Sequence, residues 1–235
     1  MISLTIIIPL YNETKTILKI IDRISKIKIT KQLIIVDDCS NDGSKEKIKK
    51  LKSKNIKVLF HSENRGKGSA IKTAQKYIKG KYTIIQDADL EYNPRDYYKL
   101  IEPIKYKKVK IVYGSRVKGK KRYKSKNFTS FVRVFFNHLL TIISNIINKQ
   151  NLTDAHTCYK VFDSTIFKKI KLREKGFAFC PEVTTKISNL KLSILEVPIS
   201  YKGRTFKDGK KISYIDGIQA IIALFKYKYF RKIYD

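Results

Sequence analysis

YTIIQDADLEYNPRDYYKLI, from Tyr82 to Ile101, leaves an apolar, β-prone run and meets acids at Asp87, Asp89 and Glu91. The surrounding chain is strongly basic, with 51 Lys+Arg against 20 Asp+Glu and a formal net charge of +31. Two carboxylates two residues apart on an extended segment point to the same side. At that spacing they repel, and one pKa rises unless something positive stands between them. A divalent cation with oxygen ligands would serve. The plainer alternative is a solvated acidic loop.

Working outward, four more β-rich apolar runs appear. They are SLTIIIPL (Ser3 to Leu10), QLIIVDD (Gln32 to Asp38), IKVLFH (Ile56 to His61) and KIVYGSR (Lys110 to Arg116). Ile17, Leu18, Ile21 and Ile24 repeat at helical spacing, as do Ala70, Ala74 and Ile78. This alternation predicts an α/β fold with a mostly parallel sheet flanked by helices on both faces. In such sheets, ligands sit beyond the carboxyl ends of the strands. Those ends read PLYNE, VDDCSNDGS, HSENRGKGS, DADLEYNP and GSR. Four carry acids or Asn and the fifth an Arg, so the chemistry gathers on one edge.

Within these ends, Asp37 and Asp38 stand where acids commonly hold a ribose or a base edge. Asp42-Gly43-Ser44 reads as a turn and helix cap. GKGSAIK at Gly66 to Lys72 lacks GxxxxGK[ST] and does not follow the first strand. It is therefore neither an ATPase loop nor a dinucleotide fingerprint. A glycine turn opening a helix can still bring its backbone against a phosphate, or can simply be a tight turn.

The charge invites a nucleic-acid reading. Only nine of the basic residues are Arg, they are scattered, and no nucleic-acid-binding signature is present, so no nucleic acid is expected as a partner. An anionic membrane surface would attract such a chain equally well. No signal peptide and no apolar run of transmembrane length are visible. Three cysteines without CxxC spacing suggest reduced thiols in the cytoplasm.

From about Val117 the character changes. GKKRYKSKN is a basic loop, and FTSFVRVFFNHLLTIISNIINK follows as an apolar helix with Arg133, Asn137 and Asn145 near one face. It is expected to lie in a membrane interface, with a buried core helix as the alternative. IQAIIALFKYKYFRKIYD runs likewise from an apolar helix into a basic aromatic tail.

Taken in order, IIIPLYNE, VDDCSNDGS, NRGKGSA, DADLEYNP and YGSR resemble the family 2 GT-A glycosyltransferases, and more narrowly the polyprenol- and dolichol-phosphate sugar synthases. TDAHTCYKVF, GFAFCPEVTTKI and EVPISYKGRTFKDGKKI resemble the same group, so the likeness spans nearly the whole chain. It implies one GT-A domain over 1–235, with a nucleotide-sugar half (1–116) and an acceptor and membrane-interface half (117–235). It implies a nucleotide-sugar donor, Mg2+ or Mn2+, and a polyprenyl or dolichyl phosphate acceptor at the cytosolic membrane face. Donor contacts are expected from Pro9, Tyr11, Glu13, Asp37, Asp38, Gly66, Lys67, Asp87 and Ala88, and metal ligation from Asp87, Asp89 and Glu91. Two positions depart from the group. Cys180 stands where similar sequences often carry an acid, and DGKKIS leaves Lys210 or Lys211 as the phosphate-binding lysine.

The chemistry agrees with this expectation. A metal on Asp87, Asp89 and Glu91 can neutralise a departing diphosphate. An acceptor phosphate, with a second pKa of about 6, needs cations rather than a base. Arg116, Arg133, Arg204 and Lys211 are the candidates, with Asp89, Arg116 and Arg204 expected at the catalytic centre. A sugar-hydroxyl acceptor would instead need a carboxylate base near Glu182. A basic RNA- or membrane-binding module would not account for five motif-bearing strand ends. His156 and Tyr159 sit in the same stretch with no chemistry assigned.

Overall fold

The computed structural model describes residues 3–107, 109–119, 128–204 and 214–230. The side chains of residues 128–131, 133 and 214 are not described. Strand β1 (Leu4–Leu10) leads through helix α1 (Ile17–Ser25) to β2 (Lys31–Asp37), and through α2 (Ser44–Lys49) to β3 (Ile56–Phe60). Helix α3 (Lys67–Gln75) then returns the chain to β4 (Tyr82–Ile85). Helix α4 (Tyr97–Tyr106), β5 (Ile111–Ser115) and α5 (Phe128–Asn148) follow. The remainder is β6 (Lys160–Asp163), α6 (Ser164–Lys169), α7 (Phe179–Asn189), β7 (Leu195–Pro198) and α8 (Tyr214–Tyr229).

The seven strands are ordered β3-β2-β1-β4-β6-β5-β7 and all pairings are parallel except those of β6. Leu4, Ile6, Ile7 and Ile8 of β1 are fully buried, as an unbroken apolar strand must be when both faces are covered. From β1 the chain steps outward to β2 and β3, then crosses back to the other side of β1 as β4. The strand order therefore reverses between β1 and β4. That switch point opens a crevice beyond Leu10 and Ile85, where α/β sheets bind ligands.

Two strands from the second half, β6 and β7, were not legible as strands. β6 is four residues long and opens on Lys160, which is fully buried, so neither length nor composition marks it. It inserts antiparallel between β4 and β5, pairing Tyr82 with Asp163 and Ile111 with Phe162. β4 also differs from expectation, because it ends at Ile85 and not on the acids. Gln86 is buried and accepts from the hydroxyls of Tyr97 (2.6 Å) and Tyr159 (2.7 Å), and its amide donates to the Asp87 carbonyl. The chain turns there, and Leu90 takes a positive φ of 66°. Asp87 and Asp89 thus ride a turn, not an extended segment.

Helix α5 has its polarity inverted. Thr141, Ser144 and Asn148 are buried, and Asn148 donates to the Thr185 hydroxyl on α7. Phe135, Leu139, Ile142 and Ile146 fall on one stripe and face outward, Ile146 being 72% exposed. α8 packs beside it with Ala223, Leu224 and Tyr227 inward and Ile218, Ile222 and Phe225 outward. The buried-core alternative for α5 therefore fails along this stripe. No helix among the described residues is long and apolar enough to cross a membrane.

Candidate active site

Four loops converge on the crevice. The β1–α1 and β2–α2 loops are clasped together by hydrogen bonds. The amide of Asn12 donates to the Ser40 hydroxyl, that of Glu13 to the Ser44 hydroxyl, and that of Thr14 to Asp42 Oδ2. Asn12 and Cys39 take positive φ to make the clasp, and Gly43 does so at the start of α2. Asp42-Gly43-Ser44 is thus structural, as its sequence suggested.

The two acids closing β2 have different fates. Asp38 is fully engaged by the protein. Its Oδ1 faces the His61 ring at 2.6 Å and accepts from the Arg65 amide at 2.9 Å, and its Oδ2 accepts from the Gly66 amide at 2.6 Å. Its work is to hold the glycine loop in place. Asp37 accepts from the Ser40 amide through Oδ2, while its fully buried Oδ1 meets no donor among the described residues. A buried acceptor without a partner is costly, and a ligand hydroxyl or ring N–H would satisfy it.

Each acid of the DAD turn meets a cation from a distant part of the chain. Lys67, first residue of α3, reaches Asp87 Oδ1 at 2.5 Å. Burial opposes ionisation of Asp87, but Lys67 and a Cys158 hydrogen bond outweigh it and hold the carboxyl below its usual range. The Arg204 guanidinium donates to Glu13 at 2.9 and 3.1 Å and to Asp89 Oδ2 at 3.1 Å. Burial, with Asp87 and Glu91 nearby, still pushes Asp89 up to about 7. Burial and the two neighbouring carboxylates thus outweigh Arg204 in disfavouring the ionised form of Asp89, an environment a divalent cation would relieve. The Asp87–Asp89 pair fits such an ion in donor chemistry. Glu91, expected as the third ligand, is engaged elsewhere: it accepts from the Tyr201 hydroxyl (2.8 Å) and the Arg204 amide (2.6 Å). Among the described residues no cluster of three His, Cys, Asp or Glu is placed to hold a metal. Ala88 between them is buried, Pro9 is the last residue but one of β1, and Tyr11 and Glu13 follow the end of that strand.

Arg116, at the end of β5, forms a two-point ion pair with Asp154, Nε–Oδ2 at 2.7 Å and Nη2–Oδ1 at 2.8 Å. Its guanidinium lies 5.2 Å from the centre of the Tyr201 ring. Burial opposes ionisation of Asp154, but the Arg116 charge and hydrogen bonds prevail and hold its carboxyl low. Glu196 fixes the far side by accepting from the amides of Thr153 and Asp154. Tyr159 packs tilted and Tyr201 edge-on against Tyr92 nearby, with ring centres 4.6 and 5.1 Å from it. His156 is held neutral, its pKa lowered to about 4 by burial and by Lys160.

Glu182 is fully buried on α7, and both its oxygens accept from backbone amides, Arg173 at 2.7 Å and Glu174 at 2.9 Å. Lys186 stands 3.1 Å from it. The carboxylate that a hydroxyl acceptor would require is thus occupied in holding a loop. Sequence reasoning missed Asp154, whose bond to Arg116 spans 38 residues, and the buried Lys160, whose ammonium donates to the Thr157 carbonyl and lies 3.6 Å from Cys180 Sγ. Lys210 and Lys211 lie outside the described residues, and for Arg133 only the helical backbone is described.

Residues 5–171 match the profile of glycosyl transferase family 2. A UDP-N-acetylglucosamine–dolichyl-phosphate N-acetylglucosaminyltransferase of Methanococcus voltae is 30% identical over 83% of this chain and 83% of its own length. A dolichyl-phosphate β-glucosyltransferase of Saccharomyces cerevisiae is 30% identical over 93% of this chain and 72% of its own. Among solved structures, glucosyl-3-phosphoglycerate synthase of Mycobacterium tuberculosis, bound to Mn2+, UDP and phosphoglyceric acid, superposes with a TM-score of 0.71 at 16% identity. That match covers 95% of this chain and 78% of the other, and shares the fold, a GT-A arrangement. The chain is a glycosyltransferase and belongs to glycosyl transferase family 2.

Proposed function

We propose that the protein moves a hexose, with inversion, from a nucleotide-diphosphate sugar to a polyprenyl or dolichyl phosphate at the cytosolic face of a membrane. The observation that carries the acceptor assignment is the state of Glu182. With both oxygens engaged by backbone amides, no carboxylate is offered there as a general base. A phosphate nucleophile needs none, because at neutral pH it has already lost its proton. The relatives named for dolichyl phosphate acceptors support the same class.

In this reading, residues 1–116 supply the donor side. Asp37 offers its open buried oxygen to the nucleoside, and the Gly66–Lys67 turn brings backbone and an ammonium to the diphosphate. Asp87 and Asp89 would hold Mg2+ or Mn2+, which when bound neutralises charge on the leaving diphosphate. Residues 117–235, together with Arg116 at the boundary, supply the acceptor side. Arg116, fixed by Asp154 and lying over Tyr201, and Arg204, fixed by Glu13, present planar guanidiniums suited to a phosphate. Arg133 and Lys211 are proposed as further phosphate contacts.

The outward apolar stripes of α5 and α8 support placement at a membrane. An apolar phase outside explains why polar residues of α5 point inward, and a lipid acceptor cannot leave the bilayer cheaply, since each exposed CH2 costs about 0.8 kcal/mol. The test is a panel of UDP- and GDP-sugars with polyprenyl phosphate in detergent, following lipid-linked product. Transfer to a sugar hydroxyl, with none to lipid phosphate, would overturn the assignment.

A further inference from the structure

We infer that Glu182 is a positioning residue for the donor-binding turn, acting through the backbone of Arg173–Gly176 as a buttress behind Gly66–Gly68. This rests on the reading that the glycine turn touches the donor. The carboxylate takes the amides of Arg173 and Glu174, one on each oxygen. Lys186, one helical turn on, pairs with Glu182 and donates to the Lys171 carbonyl at 2.5 Å. Residues 171–174 are thereby fastened to α7 by a buried, fully satisfied ion pair.

The next residues press directly on the donor turn. The Ser69 amide donates to the Lys175 carbonyl at 3.1 Å. A Cβ at Gly68 would collide with the Glu174 carbonyl, and one at Gly66 with the Lys175 carbonyl. The two segments meet backbone to backbone, so no side chain can adapt to absorb a shift. From the other side Asp38 holds the amides of Arg65 and Gly66. The turn is pinned front and back, and Glu182 supplies the back. Lys67 follows Gly66 and reaches Asp87, so displacement of the buttress carries into the acidic turn as well. α8 joins the assembly, because Tyr227 and Lys226 donate to the Glu174 carboxylate at 2.7 and 2.9 Å.

Glu182→Gln replaces one acceptor oxygen with an NH2 group facing an amide donor. Gly68→Ala pushes the same contact from the opposite side, and it carries the test should Glu182→Gln fail to fold. The measurements are kcat and KM for donor and acceptor, binding of UDP and GDP with Mn2+ by calorimetry, and hydrogen exchange over residues 66–70. Loss of one charge-assisted bond predicts a donor KM raised about tenfold, with kcat and acceptor KM within about threefold. Exchange at 66–70 should quicken in both variants, and the double variant should be weaker than either by less than the product of the two effects. A fall in kcat with donor KM and exchange unchanged would make Glu182 a catalytic group and overturn the inference. A lowered Tm with neither donor KM nor local exchange altered would make it merely structural, and would also overturn it. If the wild type binds neither nucleotide diphosphate, the donor reading fails, and the exchange comparison alone still decides the buttress.

Discussion

Asp154→Asn should destabilise the protein markedly while leaving its shape intact. The substitution keeps side-chain volume but removes the charge opposite Arg116, an ion pair with contacts at 2.7 and 2.8 Å whose side chains are 17% and 5% exposed. Stranding one member of a buried pair costs about 3–5 kcal/mol, and the residual exposure of Arg116 puts this case near 3 kcal/mol. For a chain of 235 residues, each kcal/mol moves Tm by about 2–4 °C, so a fall of about 6–12 °C is expected. Thermal and urea unfolding followed by circular dichroism would measure it. Arg116→Met with Asp154→Leu should recover much of the loss, because apolar residues of similar volume often replace a buried pair at little cost. The double variant should remain inactive in transfer, since it lacks the guanidinium. If Asp154→Asn costs less than about 1 kcal/mol, the pair is effectively solvated. Arg116 then owes its position to something other than Asp154.

Asp89→Asn should lower turnover at least about a hundredfold with Tm nearly unchanged, and excess EDTA should stop transfer. Full activity in EDTA would refute a metal role. With the Asp89 carboxyl pushed up to about 7 by burial and its acidic neighbours, a proton competes with the cation, and Mn2+ affinity should fall as pH drops below neutrality. Calorimetry between about pH 6 and 8 would detect this, and a flat profile would count against Asp89 as a ligand. Phe135→Ser with Leu139→Ser should release the protein from liposomes more completely than high salt does, because salt screens the lysines but leaves the apolar stripe inserted. Absence of wild-type flotation with either anionic or neutral vesicles would remove the membrane placement.

The sequence alone determined the alternation of β1 to β4 with α1 to α3, and with it the edge on which the chemistry gathers. Both follow from local signals: apolar runs read as buried strands, and polar residues at their carboxyl ends need no long-range information. Asp87, Asp89 and Arg116 stand out at those ends for the same reason, and they are proposed, with Arg204, as site residues. What each one touches was not legible there. Arg204 meets Glu13 across 191 residues, and Glu91 accepts from Arg204 and Tyr201, 113 and 110 residues away. Nothing local in the sequence sets the Arg65 and Gly66 amides against Asp38, or those of Arg173 and Glu174 against Glu182. Pairing partners are chosen by which strand ends and loops the sheet order brings together. That order depends on β6 entering antiparallel between β4 and β5, a four-residue strand with a buried lysine that no local periodicity announces. Composition thus placed charge at the crevice, and only tertiary packing decided which charges neutralise one another and which are left for a ligand.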